Sequence, residues 1–349
     1  MPPVEAWKKV LVSEDFSATS HGQYDCTHCH DGEGEEQEME AAHEGMKVDP
    51  SDSCAECHAV EAHRFEESQH SQLTGYRKLI AARAGVDEMT PALEEMFEQN
   101  CNKCHATCGQ CHISRPNSVK KGFVRGHKFL SRPSMVENCT ACHGSRIGQE
   151  FRGQHEGIPA DTHYSKGMQC VACHSADELH GHGEQGNTRY EVESAPQCED
   201  CHSIDDDNLH HKLHGNQVAC QVCHSVTYKN CYSCHVGHGL ERPSELGFKI
   251  GLNPLRSDER PYEYVVVRHI PIAPDSYRDY EPGGLPNYSV LPTWKYATPH
   301  NIQRRTPQTA NCTDSCHNNA EIFLTEADMV DLPPEEVEAN RNVVVREIP

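Results

Sequence analysis

Large apolar side chains are scarce in this sequence, which has 8 Phe and 2 Trp in 349 residues and a mean hydropathy of -0.73. A chain with so few of them cannot build a large core from side chains alone. No hydrophobic run approaches the length of a membrane span, so we expect no transmembrane segment. The first residues likewise lack the apolar stretch of a signal peptide.

Basic residues are also in short supply, because 31 Lys and Arg stand against 53 Asp and Glu, for a formal net charge of -22. Such a surface repels the phosphates of nucleic acids and the headgroups of anionic lipids, which argues against both as partners. It favours redox partner proteins with a cationic surface, metal ions or mineral acceptors. A plainer interpretation is that the acidity keeps an exported protein soluble.

No cysteine is left over, since all 20 fall into ten pairs and a histidine follows each pair directly. Nine of these motifs read Cys-x-x-Cys-His, and the last reads Cys-x-x-x-Cys-His. In chain order they are motif 1 (residues 26–30), motif 2 (54–58), motif 3 (101–105), motif 4 (108–112), motif 5 (139–143), motif 6 (170–174), motif 7 (198–202), motif 8 (220–224), motif 9 (231–235) and motif 10 (312–317).

The Cys-x-x-Cys-His motif is the attachment signature of c-type haem, in which two thiols form thioethers to the porphyrin vinyl groups and the histidine ligates the iron. A disulfide framework would explain an even number of cysteines but not the histidines. Zinc ribbons use two Cys-x-x-Cys knuckles per metal and need no such histidine either. We therefore expect haem c as the cofactor, in ten copies if the longer spacer of motif 10 bulges enough to reach both vinyl groups, and in nine otherwise.

The predicted covalent attachment residues are all of the cysteines: Cys26, Cys29, Cys54, Cys57, Cys101, Cys104, Cys108, Cys111, Cys139, Cys142, Cys170, Cys173, Cys198, Cys201, Cys220, Cys223, Cys231, Cys234, Cys312 and Cys316. The predicted proximal iron ligands are the histidines that end the motifs: His30, His58, His105, His112, His143, His174, His202, His224, His235 and His317. No catalytic residue is predicted.

Histidine is more abundant than the motifs require, because ten of the 26 are proximal ligands and 16 remain. Two imidazoles per iron leave no open coordination position, which suits electron transfer and disfavours substrate chemistry. Some of the surplus histidines will instead face solvent or bond to haem propionates. The predicted distal ligands, several of which precede a motif or adjoin glycine, are His21, His43, His70, His127, His163, His180, His210, His214, His238 and His300.

With about 35 residues per motif, the macrocycles themselves would supply much of the core, and folding would require them. The expected fold is mostly irregular loops with short α-helices wrapped around a chain of covalently bound haems, with minor β content in residues 260–290. Four regions are expected: an N-terminal dihaem region (1–100), a haem-dense core with seven motifs (101–240), a haem-poor arm or insertion with strand character (241–311), and the last motif with a C-terminal tail (312–349).

Local patterns predict a few elements. Helices are expected at about 69–83 and 91–99, the second with Thr90 as N-cap and Pro91 at its first position. A strand is expected at 262–272, and the tail offers a short helix from about Pro333 and a strand-like segment at 343–345. That tail would either fold back on its own chain or pair with a neighbouring subunit. Motifs 3 and 4, back to back within twelve residues, are expected to hold the closest haem pair.

Several phrases resemble multihaem c-type cytochromes of anaerobic, metal-reducing and related microbes, over about residues 20–320. They are 108–116, 138–144, 161–164, 178–181, 220–237 and 299–304. Some of them are similar to the octahaem group that includes tetrathionate reductase and hydroxylamine oxidoreductase, while the motif density resembles extracellular or periplasmic electron-conduit cytochromes. The resemblance implies a decahaem electron carrier.

The expected function is that of an exported cytochrome that carries single electrons along closely spaced bis-His haems to an extracellular or periplasmic acceptor, with the export signal already removed. A homopolymeric filament subunit is a compatible version. The alternative is an enzyme, a terminal reductase or oxidoreductase of small nitrogen or sulfur compounds with one open or Lys-ligated haem. No motif here ends in lysine, although Lys120, Lys121 or Lys128 could serve as a distal ligand.

Overall fold

The structure is a computed structural model that describes residues 5–101, 106–181, 188–204, 207–226, 230–231 and 245–348. The chain divides into two compact units. The first unit consists of Met1–Arg77, Phe97–Gly144 and Cys170–Pro196, and the second of Lys78–Met96, Ser145–Gln169 and Gln197–Pro349. The four regions expected from motif spacing follow other boundaries, since the expected haem-dense core is shared between both units.

Short helices make up most of the regular structure. The α-helices among the described residues are α1 Cys26–His30, α2 Met39–Ala42, α3 Ser51–Cys54, α4 Ala59–Glu66, α5 Gln69–Gln72, α6 Thr74–Ala84, α7 Pro91–Asn100, α8 Cys108–His112, α9 Thr140–His143, α10 Ile147–Arg152, α11 Thr162–Ser165, α12 Ala176–His180, α13 Leu209–His214, α14 Cys220–His224 and α15 Pro334–Asn340. No helix in the described ranges has both the length and the apolar character needed to cross a lipid bilayer.

Shorter helical turns and five strands complete the described structure. The 3-10 helices are Ala6–Lys9, Glu14–Ala18, His21–Gln23, Asn117–Val119, Cys170–Ala172, Cys198–Asp200, Tyr288–Val290, Pro307–Thr309, Ala320–Ile322 and Glu326–Met329, and the π-helices are Met135–Cys139 and Cys312–His317. The strands are β1 Asn230–Cys231, β2 Glu245–Leu246, β3 Lys249–Leu252, β4 Tyr264–His269 and β5 Trp294–Tyr296. The expectation of short helices, loops and little sheet is therefore confirmed.

A three-stranded antiparallel sheet lies in the second unit, in the order β3-β4-β5. The β-branched run in β4 pairs on both sides, with Ile250 opposite Val266 and Tyr296 opposite Val267. Apolar residues cover both faces of this strand, since three successive valines are at most 1% exposed. Only β4 falls within the expected β range of 260–290.

The C-terminal tail folds back onto this sheet. Val343 O accepts a hydrogen bond from Leu252 N at 2.8 Å, and Val345 N donates to Leu324 O at 2.8 Å. Residues 343–345 are buried in the same core as β4, although they do not form a strand. Residues 343–345 therefore fold back on their own chain, which is one of the two arrangements expected for the tail.

The predicted helices near residue 80 are present with one change. The helix expected at 69–83 is divided into α5 and α6 at Leu73, whose backbone is left-handed (φ 51°) and so ends α5. Helix α7 begins at Pro91 as predicted, and Thr90 Oγ1 accepts a hydrogen bond from Leu93 N at 3.2 Å. The expected tail helix is α15, which begins one residue after Pro333.

Candidate haem-attachment sites

Most described motifs form one compact helical turn. Helices α1, α8 and α14 coincide with motifs 1, 4 and 8, and motif 5 spans the end of a π-helix and α9. Residues three apart on an α-helix lie on one face, so both thiols of a motif can point the same way. The adjoining histidine is the last residue of the helix in all four of these motifs.

Motif 10 accommodates its extra spacer residue in a π-helix, Cys312–His317. A π-helix closes i→i+5 hydrogen bonds and has more residues per turn than an α-helix. Cys312 and Cys316, four residues apart, therefore occupy positions comparable to those of cysteines three apart on an α-helix. Asn311 caps this turn, since its side chain accepts hydrogen bonds from Thr313 N and Asp314 N. The wider helix supplies the bulge that the longer spacer was expected to need.

Seven histidines from the motifs each face one histidine from outside the motifs. The ring centroids are 5.9 to 6.3 Å apart in all seven pairs. In the first unit the pairs are His30 with His127, His58 with His21, His112 with His180, and His143 with His70. In the second unit they are His202 with His163, His224 with His211, and His317 with His214.

The spacing of these pairs fits a metal ion held between two imidazoles. Metal–imidazole bonds are about 2 Å long, so two ligating nitrogens on opposite sides of one iron lie about 4 Å apart. Each ring centroid lies roughly one bond length behind its nitrogen, which gives a centroid separation of roughly 6 Å. The observed 5.9 to 6.3 Å matches this value. The residues present therefore fit an iron with two axial histidines at seven motifs.

Hydrogen bonds to Nδ1 orient several of these rings. A backbone carbonyl lies close to Nδ1 in three of the motif histidines: His30 with Lys47 O at 2.7 Å, His112 with Leu130 O at 2.6 Å, and His224 with Gln303 O at 3.2 Å. A carbonyl only accepts, so Nδ1 must carry the proton and Nε2 keeps its lone pair for a metal. This is the usual arrangement of the second hydrogen bond made by a metal-ligating histidine.

Two further histidines use a carboxylate instead of a carbonyl. His174 Nδ1 lies 2.8 Å from Glu178 Oε2, and His163 Nδ1 lies 3.0 Å from Asp161 Oδ1. The Glu178 carboxylate raises the pKa of His174 because it stabilises the protonated ring. A carboxylate partner makes a ligating imidazole a stronger electron donor than a carbonyl partner does.

Burial keeps several non-motif histidines in the neutral form that binds metals. It is the main cause of a lowered pKa for His21, His70, His127 and His180, because a low-dielectric surrounding disfavours the imidazolium. The facing motif histidine lowers the pKa further at three of them, His21, His127 and His180. Neutral imidazole is the species that coordinates a metal.

Six of the predicted distal histidines lie opposite a motif histidine: His21, His70, His127, His163, His180 and His214. His43 is exposed, and its Nδ1 lies 2.6 Å from Met39 O. His300 Nδ1 lies 2.9 Å from Thr298 O. The ligand roles themselves stay predictions.

Helix α13 brings in a histidine that sequence reasoning did not select. His211 faces His224 and His214 faces His317, so one short helix serves two motifs. His210, which was selected, lies with its Nδ1 4.0 Å from Cys312 Sγ. Both candidates share a helix face with His214, at three and at four residues' distance. The spacing alone therefore could not decide between them.

Some predicted residues lie outside the described part of the chain. These are Cys104 and His105 of motif 3, Cys234 and His235 of motif 9, the side chain of Cys231, and His238. The expected closeness of motifs 3 and 4 thus also stays a prediction. Lys120, Lys121 and Lys128, the candidates for a lysine-ligated haem, are exposed.

His269 is committed to a structural contact. Its Nε2 lies 2.9 Å from Glu336 Oε1 and its Nδ1 lies 2.9 Å from Ile270 O, with both side chains almost fully buried. Since both ring nitrogens already have protein partners, this histidine has no nitrogen left for a metal. It was not selected as a distal ligand.

A cluster of three potential metal ligands brings two motifs together. The thiols of Cys198 and Cys220 and the carboxylate of Glu199 have ligand atoms within 4.8 Å of one another. Both thiols are first cysteines of attachment motifs, so thioether formation would remove them as ligands for another metal.

Comparisons of the chain with protein-family models, curated proteins and solved structures find no match.

Proposed function

We propose that this protein is an exported multihaem c-type cytochrome that carries single electrons along closely spaced bis-histidine sites to an acceptor outside the cytoplasmic membrane. The observation that carries the proposal is the set of seven imidazole pairs with centroids 5.9 to 6.3 Å apart. Each pair combines one histidine from a Cys-x-x-Cys-His or Cys-x-x-x-Cys-His motif with one from elsewhere. Neither zinc ribbons nor disulfides would require that combination.

Haem, when bound, supplies one-electron chemistry at an iron whose potential depends on its axial ligands. The chain's part is to attach, orient and enclose each site. The motif cysteines would hold the haem covalently and the paired histidines would ligate its iron, while the carbonyl partners of Nδ1 hold three of the motif imidazoles in one tautomer. With both axial positions filled, a site exchanges electrons without binding a substrate.

The charge of the chain bears on its partners. A net charge of -22 favours redox proteins with a cationic surface, or metal and mineral acceptors, and steers them by long-range attraction. In the filament version of the proposal, copies of this chain would contact one another. Residues 343–345 are buried in the core of their own unit, so another surface would have to form that contact.

The intact mass of the holoprotein tests the proposal. Protein matured by a c-type cytochrome system should exceed the mass of the polypeptide by ten haems, one for each motif. A reductive titration of the same sample should then take up about one electron per haem. Bound zinc with a mass equal to that of the bare chain, or disulfides in place of thioethers, would contradict the proposal.

A further inference from the structure

The motifs of the first unit contact one another in an order that differs from the chain order. Motifs 1 and 2 adjoin through helices α1 and α3. Ser53, just before motif 2, donates from Oγ to Cys29 O of motif 1 at 2.9 Å. His28 of motif 1 lies with its Nε2 3.9 Å from the Glu56 carboxylate within motif 2.

Motif 2 next adjoins motif 4, more than 50 residues further along the chain. Helices α3 and α8 contact one another, and the thiols of Cys54 and Cys108, each the first cysteine of its motif, lie close enough to interact. Thr107 Oγ1, at the N-cap of α8, donates to Asp49 Oδ2 at 2.8 Å. Helices α3 and α8 are thus held together on both the thiol side and the capping side.

Motif 4 adjoins motif 5 through a buried amide. Asn138, 4% exposed, donates from Nδ2 to Gln110 O at 2.7 Å and to Ser114 O at 2.8 Å. Gln110 lies inside motif 4, and Asn138 directly precedes the first cysteine of motif 5. Motif 5 in turn adjoins motif 6, because the π-helix Met135–Cys139 contacts the 3-10 helix Cys170–Ala172 and places the thiols of Cys139 and Cys170 close enough to interact.

Similar contacts join three motifs in the second unit. The thiols of Cys198 in motif 7 and Cys220 in motif 8 lie within 4.8 Å of one another, and Tyr262 OH donates to Glu199 Oε1 at 2.9 Å beside them. Motif 8 is linked to motif 10 by helix α13, which faces the histidines of both. The 3-10 helix Pro307–Thr309 contacts the π-helix of motif 10, and Thr306 Oγ1 at its start donates to Cys223 O of motif 8 at 2.6 Å.

Thioether formation relates these contacts to the cofactors. Each thiol adds across a vinyl double bond, with sulfur bonding to one carbon and the hydrogen going to the other, so no oxidant is needed. The sulfur then marks the vinyl-bearing edge of its macrocycle. Where the cysteines of two motifs lie side by side, the vinyl-bearing edges of the two attached macrocycles would therefore also lie side by side.

Building on the proposed function, we propose that electrons pass through the first unit in the order of motifs 1, 2, 4, 5 and 6, and through the second in the order 7, 8 and 10. The nearest described neighbours of motif 4 are then motifs 2 and 5. Motif 3 has no place in this order because residues 102–105 are outside the described ranges. The spatial path thus departs from the sequence at motif 4.

Iron positions in a crystal or cryo-electron microscopy structure of the holoprotein test the order. Among motifs 1, 2, 4, 5 and 6, the iron at motif 4 should be closest to those at motifs 2 and 5, and the iron at motif 1 closest to that at motif 2. An iron at motif 1 closest to motif 4 or 5 would overturn the order and leave the proposed function intact. Motif cysteines bound to zinc or joined as disulfides would overturn both.

A matched pair of variants tests the step between motifs 4 and 5 in solution. Asn138→Ala removes the amide that joins them, so it should change the low-spin electron paramagnetic resonance signals of two haems. Asn311→Ala is the control, because Asn311 also directly precedes a motif but caps its own turn and is exposed; it should change the signal of one haem. A change at a single haem in Asn138→Ala would contradict the step. Should that variant not fold, the iron positions of the unaltered protein decide.

Discussion

The two units differ in how many hydrophobic residues they bury. Of the 24 buried hydrophobic residues among those described, 22 lie in the second unit. Among its described residues the first unit buries only two hydrophobic ones, Phe97 and Met135, yet its range contains motifs 1 to 6. Its described motifs contact one another directly.

In the second unit, by contrast, motifs 8 and 10 pack against a core of apolar side chains. Val222, inside motif 8, is 4% exposed and packs in the same cluster as the valines of β4. Ala219 N, just before that motif, donates to Tyr264 O at 3.0 Å, and Cys316 of motif 10 packs against the cluster. Under the proposed function, bound haem would therefore be needed for folding of the first unit and much less so for folding of the second.

The largest effect should follow from preventing haem attachment. In chain produced without the maturation system, the amides of β3, β4 and β5 should keep their protection from hydrogen exchange, whereas those of α1, α8 and α9 should exchange freely. The reason is that apolar burial alone can hold the second unit, whereas the described residues of the first unit include only two buried hydrophobic ones. Equal protection of both units, or equal loss, would remove the proposed difference.

The next largest difference between the units should appear when one buried or half-buried phenylalanine in each is truncated to alanine. Phe323 is 2% exposed in the second unit's core, so Phe323→Ala should lower the free energy of unfolding by about 3–5 kcal/mol. In the first unit the half-buried Phe129 stacks on His21 at a centroid distance of 3.8 Å. Phe129→Ala should cost less stability and instead alter the spectrum of one haem, measured by denaturant titration alongside magnetic circular dichroism. Equal losses of stability would count against the comparison.

Replacing either of two adjacent histidines on α13 by methionine should distinguish a ligand from its neighbour at one site in the second unit. His211→Met should raise the reduction potential of one haem, because a thioether ligand favours ferrous iron relative to imidazole. His210→Met is the control and should leave all potentials in place, since His211 is the residue that faces His224. A spectroelectrochemical titration distinguishes the two, and a shift in His210→Met alone would reverse the assignment.

The smallest effect is expected from a carboxylate in the first unit. Glu178→Gln removes the charge beside His174, so one haem should shift to higher potential as its imidazole becomes a weaker donor. Asp177→Asn is matched in charge and position, but Asp177 pairs with Arg64 at 3.2 Å. The same titration should show no such shift for it. A shift of similar size in both variants would point to general charge effects.

Local features of the site could be predicted from the sequence, because attachment chemistry fixes the spacing of cysteine and histidine within five or six residues. Helix α7 could also be predicted from the sequence, since Thr90 and Pro91 mark its start. The partner of each motif histidine could not be predicted from the sequence, because it depends on contacts between segments far apart in the chain. His211 and His210 differ only in which one the folded helix turns toward His224.

The core of the second unit was underestimated for a similar reason. Composition is averaged over 349 residues, and the average conceals how the apolar residues are concentrated in β4, Phe323 and residues 343–345. The last of these segments looks like a strand, but it buries its valines without joining the ladder. Its place became evident only from the hydrogen bonds of Val343 and Val345.

The spin state of the reduced holoprotein and its binding of carbon monoxide test the central claim most directly. If two imidazoles close every iron, as the seven described pairs indicate, all haems should be low-spin and none should take up carbon monoxide. A high-spin fraction near one haem in ten motifs, with matching carbon monoxide uptake, would contradict that claim and favour a reductase with one open site.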